Sequence, residues 1–383
     1  MAKRAAPATW TGGQGLLSRT NADSEREGRV SGYVLKTIRQ TVGLTQEQLA
    51  EKAQVDVSTL QGWESGRRPL MSVPAGSYLR LRHLLHRLGA LPRLLAQLDT
   101  GLEADRFIGY VLASDGPIDL NNHPLATWVI TRPFTELVAW PFTGAVPSEL
   151  KEVVPLRRRG PSAAGPELAE DERRHMVDHL QTAAEQTTKD SAEGALLRRQ
   201  AHYVAGFDKS SETVEWLAVM QRAEQRRLGS TAGWAPSWAV VRSGAHSMAR
   251  IGDTDALPHF IDVHISTDMC EVANLNYWAY WLGEISDPQL ADTFMIDMDM
   301  DSWHGGRLLK HLVGRLTRDN VYVDVVCHTL WALVIRKPML LSKSIVEEVA
   351  AAVTRMLDEG LISSRSKREL EEVFYALRTV QRR

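Results

Sequence analysis

The sequence predicts an all-α chain, an N-terminal module of short helices followed by a longer C-terminal α-helical repeat. Three observations carry this. Apolar residues recur at helical spacing from Gly32 to Leu98 and again from Glu167 nearly to the end. In the first part, capping residues open stretches only two or three turns long. In the second, short turns (GFDKSS, GSTAGWAPS, IGDTD, ISDPQ, TRDN, LIS) punctuate the pattern at the intervals of antiparallel helix pairs.

The 383 residues favour two or three domains, and a content of 44% hydrophobic and 24% charged residues is that of a soluble globular chain. No apolar run approaches the ~18 residues of a membrane span. The first residues lack the apolar core of a signal peptide. Two cysteines, Cys270 and Cys327, make neither a disulfide framework nor a four-cysteine zinc site. A cytoplasmic protein with reduced thiols is expected. The net charge of −2 hides an asymmetry: Arg29–Leu95 holds ten Lys/Arg against four Asp/Glu, so that segment carries +6 and the remainder −8. A basic module on an acidic body suits a polyanion at one end.

Residues 1–28 are polar and aperiodic and read as a disordered arm. The basic module follows over 29–100, a connector and linker over 101–166, and the helical body over 167–383. In the connector, FIGYVLAS, ATWVITR and TELVAW are short or β-branched. Pro-Phe-Thr occurs at 133–135 and again at 141–143, and these prolines suit turns or edge strands. Two short strands are therefore allowed there. RRRGPSAAGP (157–166) reads as linker.

In the body, Ile251, Asp253 and Phe260 are echoed 34 residues later by Ile285, Asp287 and Phe294, the length of a tetratricopeptide unit. A third copy near Asp319 slips to 32. A tetratricopeptide-like (TPR-like) solenoid is expected, with an irregular helical bundle as the alternative.

The most informative stretch is LTQEQLAEKAQVDVSTLQGWESGRRPL (44–70). Thr45 and Gln48 form a capping box that starts a helix. Leu49, Ala50 and Ala53 make its apolar stripe, with Ala50 small enough to admit a close neighbour. Gln54 and Val55 make the turn, and Asp56 is placed to cap the next helix. There Leu60 and Trp63 share the inner face while Val57, Ser58 and Gln61 point outward near the N-terminus. A helix presented end-on fits the major groove, and short side chains in its first turns reach base edges. Arg67 and Arg68 beyond that helix, with Lys36 and Arg39 on the preceding one, are placed to grip phosphates.

These residues resemble the DNA-binding segment of the XRE/Cro phage-repressor family of helix-turn-helix regulators. The matching features are Leu44-Thr45-Gln46, Leu49-Ala50, Val55, Thr59, Trp63-Glu64 and Gly66-Arg67-Arg68-Pro69. The resemblance spans roughly residues 30–90 and implies that Gln46 supports the recognition helix and contacts the DNA backbone. It also implies that Val57, Ser58 and Gln61 face bases, with Thr45 and Thr59 in the same surface. Departures are Gln54 where Gly is common, Gly62 in place of a polar residue, and Val57, which offers only an apolar contact. A double-stranded DNA partner and a homodimer follow as expectations. The alternative is a scaffold, antitoxin or adaptor that uses the same module for protein contacts.

Further along, Arg80, Arg82, Arg87 and Arg93 alternate with leucines, and His83 and His86 beside them read as surface histidines rather than a metal pair. Asp297, Asp299 and Asp301 fail as a calcium loop, since position six is Ser302 and position twelve Leu308. They read as solvated acids. No P-loop, nucleophile elbow or HExxH occurs, so neither an enzyme nor a cofactor is expected. In MCEVANLNYWAYWLGE, Asn274, Trp278 and Trp281 share a helical face led by Glu271. They are the candidate ligand-binding residues, for a peptide or small-molecule effector, against the simpler alternative that the tryptophans fill the core.

Overall fold

The computed structural model describes residues 28–114, 116–153, 165–187, 191–229, 233–253, 255–265, 267–360 and 362–381. The arm expected over 1–28 lies outside the described residues except for Gly28, and the linker over 157–166 except for Gly165 and Pro166. Eighteen α-helices and no strand occur among the described residues. The chain divides into two compact units, one of residues 1–113 with 148–166 and one of 114–147 with 167–383.

The first unit holds α1 (Arg29–Thr41), α2 (Gln46–Ala53), α3 (Val57–Ser65), α4 (Ala75–Arg87) and α5 (Pro92–Leu112). Val34, Leu35 and Ile38 of α1 are buried with Leu49, Leu60, Leu85, Leu94 and Leu98 from the other four. Two contacts fix α1. Its first amides, Val30 N and Ser31 N, donate to the buried Asp105 carboxylate of α5 at 2.9 and 2.8 Å. This cap comes from some 75 residues along the chain and stabilises the positive end of the helix as a local cap would. Then Gly32 lets α1 meet α3 backbone to backbone, because a Cβ there would stand 2.2 Å from the Trp63 carbonyl oxygen. Tyr78 Oη and Arg82 Nε both donate to Asp99, at 2.5 and 3.1 Å, and tie α4 to α5.

The second unit begins with α6 (Pro124–Thr127) and α7 (Arg132–Thr143). From α8 (Glu170–Gln186), α9 (Ala192–Ala205), α10 (Ser211–Leu228) and α11 (Pro236–Arg250) it continues through α12 (Ala256–His264), α13 (Asp268–Trp281) and α14 (Phe294–Asp297). It ends with α15 (Gly306–Arg315), α16 (Val323–Arg336), α17 (Lys343–Glu359) and α18 (Ser364–Gln381). Successive helices pack as neighbours, α8 on α9, α10 on α11, α15 on α16 and α17 on α18. The 34-residue echo falls on α11–turn–α12 and then on α13–loop–α14, whose second helices are 9 and 4 residues long.

The strands allowed for in the connector do not form. FIGYVL ends α5, and TELVAW is the middle of α7. Pro133 stands in the first turn of α7, where its missing N–H costs nothing, and Pro141 lies in the last turn before Gly144 closes the helix at φ +67°. ATWVITR comes nearest to a strand: Trp128 and Thr131 take extended backbone, and Val129 is buried. Its backbone bonds go to a loop and to side chains instead. Val129 N donates to the Gln289 carbonyl at 2.7 Å, Tyr280 Oη donates to the Val129 carbonyl at 2.6 Å, and Ile130 N donates to Gln200 Oε1 at 2.6 Å.

Helix α9 is the polar hub of this unit. Buried Arg198 pairs with Glu224 at 2.9 Å, and buried Arg199 pairs through two nitrogens with Asp292 at 2.8 Å each. Gln200 gives its amide to the Leu125 and Trp128 carbonyls at 2.8 and 2.9 Å. His123 and His179 are also buried, and stacked, with Nε2 atoms 3.2 Å apart. His123 Nδ1 accepts from Leu125 N at 3.1 Å, so its proton sits on Nε2 and points at His179. Burial first, and then the neighbouring histidine, hold His123 down to about 3, and burial with His175 holds His179 down to about 4.

Both histidines are neutral in the fold but accept protons near 6.5 once unfolded. Their contribution is complete above that pH and is lost as pH falls from 6.5 toward 4. Thermal melts are expected to be flat above pH 7 and to lose on the order of 1.4 kcal/mol per pH unit per histidine below 6. His179→Gln is expected to flatten that slope.

Candidate nucleic-acid interface

Helix α2 starts as its sequence requires. Thr45 Oγ1 accepts from Gln48 N at 3.2 Å while Gln48 Oε1 accepts from Thr45 N at 2.9 Å. Leu49 and Ala50 are buried. The turn is made at Gln54, the one non-glycine with positive φ (+56°) among the described residues. Asp56 takes the extended backbone of an N-cap, but its carboxylate makes no capping bond, contrary to the role its position implied. Helix α3 then turns Leu60 and Trp63 inward. Ser58 and Gln61 are exposed, with Val57 and Thr59 half-buried beside them.

A buried ion pair lies behind this outward face. Arg39 and Glu64 are each less than a tenth exposed, and Nε and Nη2 of the arginine meet the two carboxylate oxygens at 2.5 and 2.9 Å. Arg39 Nη1 donates to the Leu44 carbonyl at 2.7 Å, which pins the α1–α2 loop. Gln46 Nε2 donates to the same Glu64 carboxylate at 2.8 Å, and Gln46 Oε1 faces Gln61 Nε2 at 3.4 Å. A chain of contacts thus runs from α1 through α3 and α2 to an exposed amide on the face of α3.

This corrects the assignment of Arg39. It was expected to grip phosphate, but its guanidinium is enclosed and spent on Glu64 and Leu44. Both charges stand four residues after a core leucine, Arg39 after Leu35 and Glu64 after Leu60. That register, a charge on an apolar stripe, is the sequence signal for burial. Glu64 entered the sequence argument only as part of a motif, yet it holds the site together.

The other cations are placed differently. Arg68 is exposed, donates from Nη1 to Thr59 Oγ1 at 2.9 Å, and lies across Gly62, where a Cβ would stand 3.0 Å from its Cδ. Gly62, a departure from the family pattern, is the space that lets Arg68 fold back beside the outward face. Arg67 is exposed with Nε on Ser65 Oγ at 3.2 Å. Lys36 is half-buried on α1, its ammonium 5.4 Å from the Tyr33 ring centre. Of the later arginines, Arg82 pairs with Asp99 and Arg93 with Glu152 at 2.7 Å, so those two are not open phosphate grips. His83 and His86 belong to no group able to hold a metal, and neither do Asp297, Asp299 and Asp301, among the described residues.

The four candidate ligand residues of the second unit separate. Trp278 and Trp281 are half-buried on the wall of a cavity of about 270 Å³. Asn274 lies behind that wall, accepting from Arg242 Nε at 3.0 Å and donating to Thr329 Oγ1 at 3.2 Å. Glu271 does not reach the cavity and pairs with Arg336 at 2.7 Å.

A family model described as Helix-turn-helix matches residues 35–73, from the middle of α1 through the turn after α3. No curated protein and no solved structure matches the chain. Residues 35–73 are a helix-turn-helix domain of the XRE type, the kind that DNA-binding regulators carry. No helix of the described residues is long and apolar enough to cross a membrane.

Glu64→Ala would leave a buried arginine unpaired and is expected to destabilise the first unit by about 3–5 kcal/mol in urea unfolding. The double variant Arg39→Met/Glu64→Leu is expected to recover most of that loss. Gln54→Gly, which relieves a left-handed backbone, is expected to raise stability by about 1 kcal/mol.

Proposed function

We propose that the protein is a sequence-specific transcriptional regulator that works in the cytoplasm as a dimer. Its DNA affinity is set by an effector or partner on the second unit, and no reaction is assigned to it. The observation that carries this reading is the exposed pair Ser58 and Gln61 on α3, backed by Arg39, Glu64 and Gln46. A recognition helix must present donors and acceptors to base edges without swinging, and a charge-assisted network behind it serves that need. The exposed Arg67 and Arg68 lie just past the same helix, where phosphates of a groove-bound duplex run.

A dimer is part of the reading because one short helix specifies too few base pairs. Two half-sites a helical turn apart supply the rest. The helical second unit is the place for self-association and for sensing, its helices following one another in a TPR-like manner. An effector that favours one arrangement of the dimer changes affinity through half-site spacing.

Footprinting on genomic fragments, including the protein's own upstream region, tests this. Salt-dependent protection of a two-fold-related site is expected. No salt-dependent duplex binding, with a stoichiometric protein partner instead, would favour the adaptor alternative. Within a bound site, Gln61→Ala is expected to cost about 1–3 kcal/mol at one base pair and little on other sequences. Arg67→Ala is expected to weaken every sequence alike and to reduce the salt slope by about one.

A further inference from the structure

The cavity in the second unit has a composition that core packing does not require. Arg242, Arg250 and Arg315 line it, and none has a carboxylate partner among the described residues. The carboxylate on its wall, Glu136, is bound to Arg132 at 2.7 Å. Its two histidines add no charge: burial, and then nearby arginines, hold His246 well below its ordinary range and His311 down to about 4. The cavity is therefore strongly cationic.

The arginines are held on aromatic faces. The Arg242 guanidinium lies 4.1 Å from the Tyr277 ring centre, and that of Arg250 lies 4.2 Å from Phe207 and 4.6 Å from Tyr203. Stacking of this kind uses the face of a guanidinium and leaves its in-plane N–H edge for other partners. Arg242 is 2% exposed, and its Nη2 is buried without a hydrogen-bond partner, as is Trp278 Nε1. A buried cation with an unused donor is costly unless an anion meets it.

Size narrows the occupant. A cavity of about 270 Å³ lies just under the ~300–1,000 Å³ of ordinary ligand pockets, and a space of ~150 Å³ suffices for benzene. One substituted ring or a fused pair fits, whereas an extended peptide does not.

We infer that this cavity binds a small anion carried on a flat ring, an aryl carboxylate or aryl phosphate, with its acid group on Arg242 and its ring against Trp278 and Trp281. Binding stands on the cavity alone, while its regulatory consequence rests on the function proposed above.

The test uses the full-length protein, with tryptophan fluorescence and melting temperature as readouts. The compounds are benzoate, 4-hydroxybenzoate, indole-3-acetate and phenyl phosphate, each beside its neutral amide or alcohol, with inorganic phosphate alone as a further arm. Saturable binding of at least one ring-borne acid is expected, about tenfold or more tighter than its neutral counterpart. Carboxylates and the phosphate ester, read separately, identify the acid group. Arg315→Ala, at an exposed rim position, is expected to weaken binding severalfold with the melt unchanged. Arg242→Ala is expected to abolish it. Failure of every acid, equal binding of the neutral counterparts, or equal binding of phosphate without a ring overturns the inference. A ligand that binds but leaves duplex affinity unchanged refutes the effector control proposed above, not the cavity.

Discussion

The first unit depends on one buried ion pair. Arg39 and Glu64 lie 25 residues apart on different helices, and each alone would be costly to remove from water. The pair is tolerable because its remaining hydrogen-bonding capacity is used: the Leu44 carbonyl takes one guanidinium nitrogen, and Gln46 gives its amide to the carboxylate. Those auxiliary bonds reach the loop before α2 and the first residue of α2, so the pair sets the positions of three helices at once. The buried leucines Leu35, Leu49 and Leu60 supply hydrophobic stabilisation but no unique register. The ionic network, with Gly32 against the Trp63 carbonyl, supplies the register.

The local features of this unit were legible in the sequence because their determinants lie within four residues of one another. The Thr45–Gln48 capping box, the turn at Gln54 and the inward Leu60 and Trp63 are of this kind. Asp105 could not be seen as the cap of α1 from across the chain, because no spacing rule links residues 30 and 105. Arg39 has the charge of a phosphate-gripping arginine, and only its place on the apolar stripe of α1, one turn after Leu35, marks it for burial. The connector misled for another reason. β-Branched residues 129–131 prefer extended backbone, and Thr131 adopts it, but the backbone partners of Val129 and Ile130 are a loop carbonyl and the side chains of Gln200 and Tyr280 rather than a strand.

The second unit follows a different logic. A plain helical repeat would bury leucines and alanines between successive pairs. Here α9 places Arg198, Arg199 and Gln200 in succession at the centre, each answered by partners on other elements. Of the four residues first singled out on α13, the two tryptophans belong to the cavity wall, while Asn274 acts by holding Arg242 and Glu271 serves a separate pair. The arginines that give the cavity its charge come from α11 and α15, too far from α13 in sequence for any motif to have gathered them. Fold and site therefore separate: periodicity reports which faces are apolar, and only the assembled helices show where charge has been left without a counterion.

The central claim is that the first turns of α3 enter the major groove of a duplex. Cys270 and Cys327 are both buried, so a Ser58→Cys variant offers one accessible thiol among the described residues for an iron chelate that cleaves DNA nearby. On a footprinted fragment, strand scission is expected at two discrete loci centred one helical turn apart, each facing the major groove. Scission spread evenly along the fragment, or none while binding persists, would contradict the account.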